Sequence, residues 1–106
     1  MAYGVRGAYK PTVGAAVGEI ETIANGSAMT VRPAAGIIWI IEMISYGGAC
    51  TIVFTDGTLS DTIDTPTSAG IIEKANYRIS HDHYITVTNS SGASATFGYA
   101  GYVVNE

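Results

Sequence analysis

Ile37-Ile-Trp-Ile-Ile-Glu-Met-Ile-Ser45 is the stretch on which the fold turns. It is nine residues long, dominated by β-branched isoleucine, and bounded by Pro33-Ala-Ala-Gly36 on one side and Gly47-Gly48 on the other. Those features specify a strand rather than a helix. Strand geometry puts Ile37, Trp39, Ile41 and Met43 on one face and Ile38, Ile40, Glu42 and Ile44 on the other. Both faces are apolar, which predicts a cover on each side: a second sheet on one, a neighbouring protomer on the other.

The same signals repeat outward from this strand. Upstream, Glu19–Ala24 alternates weakly and ends at the turn pair Asn25-Gly26, and Ala28–Arg32 is a short strand. Downstream, Cys50–Thr55 leads into Asp56-Gly57, the best hairpin signal in the chain. Thr58–Asp64 returns with Leu59 and Ile63 expected inward, and Pro66 stops it. Gly70–Lys74 and Tyr77–Ser80 flank Ala75-Asn76, and Tyr84–Asn89 turns back at Asn89-Ser-Ser-Gly92. Ser94–Val104 closes the chain, with Gly98 and Gly101 as expected points of close approach. No stretch has helical spacing and length. The expectation is all-β: a single β-sandwich of about eight antiparallel strands over residues 20–106, preceded by an extended N-terminal arm over 1–19. The arm has glycines at 4, 7, 14 and 18, Pro11, and no sustained period. With few contacts of its own, it is expected to lie on another subunit.

The chain has 106 residues, enough for one modest core. Charged residues reach only 13%, against a usual value of roughly 25%. The surface is therefore mainly Thr, Ser, Gly, Ala and Tyr, and little charge is desolvated when such a surface is buried against another chain. That favours a member of a larger particle. The net charge is −4, and the five basic residues (Arg6, Lys10, Arg32, Lys74, Arg78) are scattered, which argues against nucleic acid as a partner. The longest apolar run, Ile37–Ile41, is far short of the ~20 residues of a membrane helix. The first residues lack the apolar stretch of a secretory signal, and a lone Cys50 excludes an internal disulfide.

Few residues suggest chemistry. His81-Asp82-His83 would place two imidazoles on one face of a strand, half of a transition-metal site that three chains around an axis would complete. The plainer reading is a polar loop beside Tyr84, and no metal or other cofactor is expected. No serine sits in a Gly-x-Ser-x-Gly elbow, and Cys50 lies in an apolar strand, where a thiol packs rather than reacts. Asp56, Asp61 and Asp64, like Glu19 and Glu21, read as solvated acids rather than an opposed catalytic pair. There is no phosphate-binding glycine loop. The expectation is no enzyme. The seven tyrosines offer area plus a hydroxyl, suited to an interface or to stacking on sugars.

Two segments carry a resemblance. Val31-Arg-Pro-Ala-Ala-Gly-Ile-Ile-Trp-Ile-Ile-Glu-Met-Ile-Ser45 looks like the Pro-x-x-Gly and apolar strand that open small virion jelly rolls. Tyr84-Ile-Thr-Val-Thr-Asn-Ser-Ser-Gly-Ala-Ser-Ala-Thr-Phe-Gly-Tyr-Ala-Gly-Tyr-Val-Val104 is similar to their closing hairpin. The family is that of β-sandwich proteins of tailed-bacteriophage particles, head decoration (cement) proteins and fibre heads, usually trimeric. The resemblance spans 28–104 and implies a virion protein assembled in the host bacterial cytoplasm. Its expected partners are the major capsid protein and further copies of itself, with a host glycan in the fibre-head alternative. The residues expected at such contacts are Tyr3, Val5 and Tyr9 in the arm, Ile38 and Ile40 on the long strand, and Tyr99 and Tyr102 on the last.

Overall fold

The structure, a computed structural model, describes residues 13–104. Nine strands lie within them: β1 (Ala16–Ile23), β2 (Ala28–Val31), β3 (Ile38–Tyr46), β4 (Cys50–Thr55), β5 (Ser60–Asp64), β6 (Gly70–Ile72), β7 (Tyr77–Ser80), β8 (Tyr84–Asn89) and β9 (Ala95–Val103). All ladders are antiparallel. One sheet runs β1-β9-β3-β6, with β7 also on β3, and the other runs β2-β8-β4-β5.

The pairing has a simple logic. β4 meets β5, β3 meets β6 and β7, β2 meets β8, and β1 meets β9. The chain is thus one long hairpin with its tip at Asp56-Gly57. Rolling that hairpin adds the β3–β9 and β4–β8 ladders and splits it into two facing sheets. This is the jelly-roll wrap. The tip is built locally: the Asp56 carboxylate accepts from the amides of Thr58 and Leu59, both at 2.8 Å, and Gly57 takes a φ of 95°.

Between the sheets lie Ile23, Met29, Val31, Ile41, Ile44, Ile52, Ile79, Ile85, Val87 and Phe97, with Cys50 among them. Burial pushes the Cys50 thiol above its ordinary pKa, and the charge of Asp64 adds to the effect. Buried Asn89 is satisfied by three bonds: its amide donates to the carbonyls of Ile23 and Ala93 (both 2.8 Å), and its Oδ1 accepts from Ser91 N (2.9 Å). It ties the ends of β1 and β8 to the start of β9.

A bulge in β3 alters the expected faces. Ile41 opposes Gly101 and Met43 opposes Ala100, so Glu42 is the extra residue. The phase flips there. Trp39, Ile41, Ile44 and Tyr46 pack on the core side, whereas the unbroken alternation placed Met43 there and Ile44 opposite. The same level interrupts the neighbouring strand: β6 stops at Ile72 and β7 starts at Tyr77. Between them Lys74 adopts a φ of 56° and Ala75 N donates to the Glu42 carbonyl at 2.9 Å. β6 and β7 are one strand broken by the bulge, which reconciles nine segments with the eight of a jelly roll.

Three further expectations change. β1 begins at Ala16, inside the segment read as arm, because its ladder to β9 supplies the order that its own sequence lacks. Leu59 is 74% exposed rather than inward, since it sits in the tip turn ahead of β5. Tyr99 faces the core beside Trp39, ring centroids 6.1 Å apart, and is 8% exposed. Gly101 is the expected close approach: a Cβ there would run into the Ile40 carbonyl oxygen.

Candidate functional site

The loops after β2, β4 and β7 gather at one end of the sandwich, and there the two histidines part company. Residues 81–83 are a loop between β7 and β8, not a strand, so the i, i+2 rule does not align them. The loop is closed by Ser80 N to the His83 carbonyl (2.7 Å) and His83 N to Ser80 Oγ (3.2 Å). His81 Nδ1 lies 3.0 Å from the Pro33 carbonyl, which can only accept, so Nδ1 carries the proton. Arg32 Nε donates to the His81 carbonyl at 2.7 Å, and its guanidinium sits 4.3 Å from the centroid of the Tyr84 ring. His83 instead stacks on Phe54 at 6.1 Å. Each histidine braces a different neighbour. Among the described residues no three His, Cys, Asp or Glu side chains converge as a metal site would require.

Beside His83 runs a shallow open groove of about 190 Å³, lined by Phe54, Thr55, Asp56, Leu59, Ser60, Asp61 and His83. Its hydroxyls are engaged locally: Thr55 Oγ1 donates to the Leu59 carbonyl and accepts from Gly57 N, while Ser60 Oγ donates to it. The amides of Leu59 and Thr58, with a smaller contribution from His83, hold the Asp56 carboxyl below the usual aspartate range.

The broad surfaces are the outer sheet faces. Cross-strand partners share a face, so the ladders show what each presents. On the β2-β8-β4-β5 sheet the outward positions are Ala28, Thr30, Thr51, Val53, Thr55, Ser60, Thr62, Tyr84, Thr86 and Thr88. None is charged. On the β1-β9-β3 sheet they are Ala16, Gly18, Ile20 and Thr22, then Thr96, Gly98, Ala100 and Tyr102, then Ile38, Ile40, Met43 and Ser45. Ile71 and Arg78 complete that face on β6 and β7, and Arg78 is its single charge at a paired position.

The acids lie elsewhere. Glu19 and Glu21 are opposite Tyr99 and Phe97, hence on the inner side of edge strand β1. Asp61 and Asp64 are opposite Phe54 and Ile52 on edge strand β5. Inward charge on an edge strand deters pairing with another chain's edge. The other two edges are formed by β2, only four residues long, and by the interrupted β6/β7. All four edges therefore discourage strand addition, while the faces stay free of charge. At the β1 edge, a hydrogen bond with Glu19, followed by burial and Glu19's charge, raises the Glu21 carboxyl above its ordinary pKa. Burial, then the two glutamates, does the same for the Tyr99 hydroxyl.

Of the expected contact residues, Ile38 and Tyr102 lie half-buried on the outer β1-β9-β3 face, and Ile40, directly opposite Tyr102 on the same side, is buried at 8% exposure. Tyr99 is a core residue. Tyr3, Val5 and Tyr9 fall outside the described residues. Sequence reasoning missed Ile20, which is 80% exposed on that same face. In Glu19-Ile20-Glu21 it passes for a buried isoleucine between solvated acids, but Val17 and Ile23 on the core side set the phase, and the acids turn in. No protein-family model matches the chain, and no curated protein matches it.

Proposed function

We propose that this chain is a structural protein of a tailed-phage particle, a decoration protein that binds and stabilises the head through its N-terminal arm and its apolar and tyrosine-bearing faces. One observation carries the reading: among the described residues charge is confined to edges, bulge and loops, while the two outer sheet faces hold one charged side chain at their paired positions. Interfaces between subunits have this anatomy, a centre depleted of charge within a polar rim. The jelly roll agrees with it but does not select it, because function belongs to surfaces rather than folds. The described residues offer no helix long and apolar enough to cross a membrane.

Co-sedimentation with capsids that lack the protein tests the proposal. Saturable binding at a fixed copy number is expected; absence of binding overturns it. The groove at Phe54, Leu59, Asp61 and His83 favours a second reading, a fibre head that meets a host glycan, since a ring, an apolar side chain and a carboxylate suit a sugar. Binding to host cells but not to capsids would select it.

A further inference from the structure

We propose that the outer face of the β1-β9-β3 sheet is where two copies of this chain pack against each other, sheet on sheet, about a two-fold axis. The inference rests on the reading of the chain as an assembling structural protein and names the partner of that face.

Size is the first argument. Four strand positions at ~4.8 Å and nine residues of β9 at ~3.3 Å give a face of roughly 19 by 30 Å in projection. Two such faces together cover roughly 1,100 Å², just above the ~1,000 Å² that a specific interface needs, with Ile40 at 8% exposure adding little of it. Solitary proteins rarely leave an apolar patch of several hundred Å² open.

Charge is the second. A chain of net charge −4 repels its own copies, and two copies meet most readily where neither presents a charge. The outward positions of β1, β9 and β3 present none, and Arg78 stands at the β7 margin. The opposite sheet is equally uncharged, but its threonines keep their hydroxyls in water and offer less apolar area to bury.

Relief is the third. Ile20 projects from β1 at 80% exposure, directly opposite Gly98, with Gly18 and Ala100 paired beside it. Ile20 leans over buried Gly98, its Cγ1 3.3 Å from where a Cβ would stand there, while the adjoining Gly18–Ala100 pair stays low. A knob beside a low strip on one surface is what an isologous contact needs, because each copy supplies both halves. Two such faces stack at ~10 Å with their strands about 30° apart. The short, interrupted or acid-bearing edges disfavour the alternative of strand addition. The arrangement is a pair, in place of the trimer that the family resemblance implies.

Sedimentation equilibrium of the full chain from about 1 to about 200 μM tests it, because self-association depends on concentration. The expected mass is twice the 11.0 kDa of the chain. Ile20→Asp, at a site already in water, and Ile71→Lys, at one 46% exposed, should each raise the dissociation constant at least tenfold with an unchanged urea midpoint at low concentration. Thr62→Asp on the other sheet should leave the mass unchanged. A wild type that stays at the mass of one chain, a three-copy mass, or an Ile20→Asp variant that still dimerises overturns the pairing. Capsid co-sedimentation separates the two claims. A monomer that binds capsids refutes the pairing alone, and a dimer that ignores them refutes the decoration role alone.

Discussion

Replacing Asn89 with alanine should expose how the two sheets are tied at one end. The side chain is fully buried and makes three hydrogen bonds, two from its amide to the Ile23 and Ala93 carbonyls and one to its Oδ1 from Ser91 N. Each bond is worth about 1 kcal/mol net, and a group left unsatisfied where water cannot reach costs ~1–3 kcal/mol. The bond to the Ile23 carbonyl is buried, while those to Ala93 and from Ser91 lie nearer solvent and can recruit water. The expected loss is about 3–4 kcal/mol, a large part of the ~5–15 kcal/mol that holds such a domain together. At ~4–8 °C per kcal/mol the melting temperature should fall by ~12–32 °C. Urea unfolding followed by the fluorescence of Trp39, the single tryptophan, measures it. Asn89→Asp adds a control of sign. Its carboxylate would face two carbonyl oxygens, which raises its folded pKa, so this variant should recover stability on acidification while Asn89→Ala does not. A loss below about 1 kcal/mol for Asn89→Ala would refute the argument that this side chain ties the sheets.

Other outcomes follow from the same structure. The folded Asp56 carboxyl is held below its unfolded value by turn amides, so its contribution is present at neutral pH and lost as pH falls through the folded pKa. The stability gap between wild type and Asp56→Ala should therefore close in acid, and a gap independent of pH would contradict it. Glu21 runs the other way: its pKa is raised, so the charged pair with Glu19 weakens the fold at neutral pH and is relieved as pH falls through the raised value. Glu21→Gln should be more stable than wild type at pH 7, with the difference shrinking toward pH 4 in parallel urea titrations. Gly101→Ala should be strongly destabilising or fail to fold, since its Cβ meets the backbone carbonyl of Ile40. Gly92→Ala, in open space at a φ of 94°, should cost only about 1 kcal/mol. Equal losses in the two, read by thermal melts, would remove close approach as the role of Gly101.

What residues close in sequence can dictate was legible in the sequence. Cys50–Thr55 and Tyr84–Asn89 are strands over the bounds that their alternation implies, and Asp56-Gly57 is the hairpin tip because its carboxylate and its positive φ need only the next three residues. The all-β class and the sandwich follow from such local signals repeated along the chain. Of the outer β1-β9-β3 face, the strand positions of Ile38, Ile40 and Tyr102 were legible because they lie on an apolar strand or are aromatic. Ile20 was not, because the face of a strand is a property of its register. The bonds that set β1's register come from β9, roughly eighty residues on, and they turn Glu19 and Glu21 inward. The bulge at Glu42 has the same origin: its carbonyl holds Ala75 N of the broken neighbour, and that contact flips Ile44 into the core and Met43 out of it. Local chemistry determined where the chain extends and turns. Tertiary packing decided which side of each strand meets water, because that choice is made by hydrogen-bond partners distant in sequence and by the single core that both sheets must share.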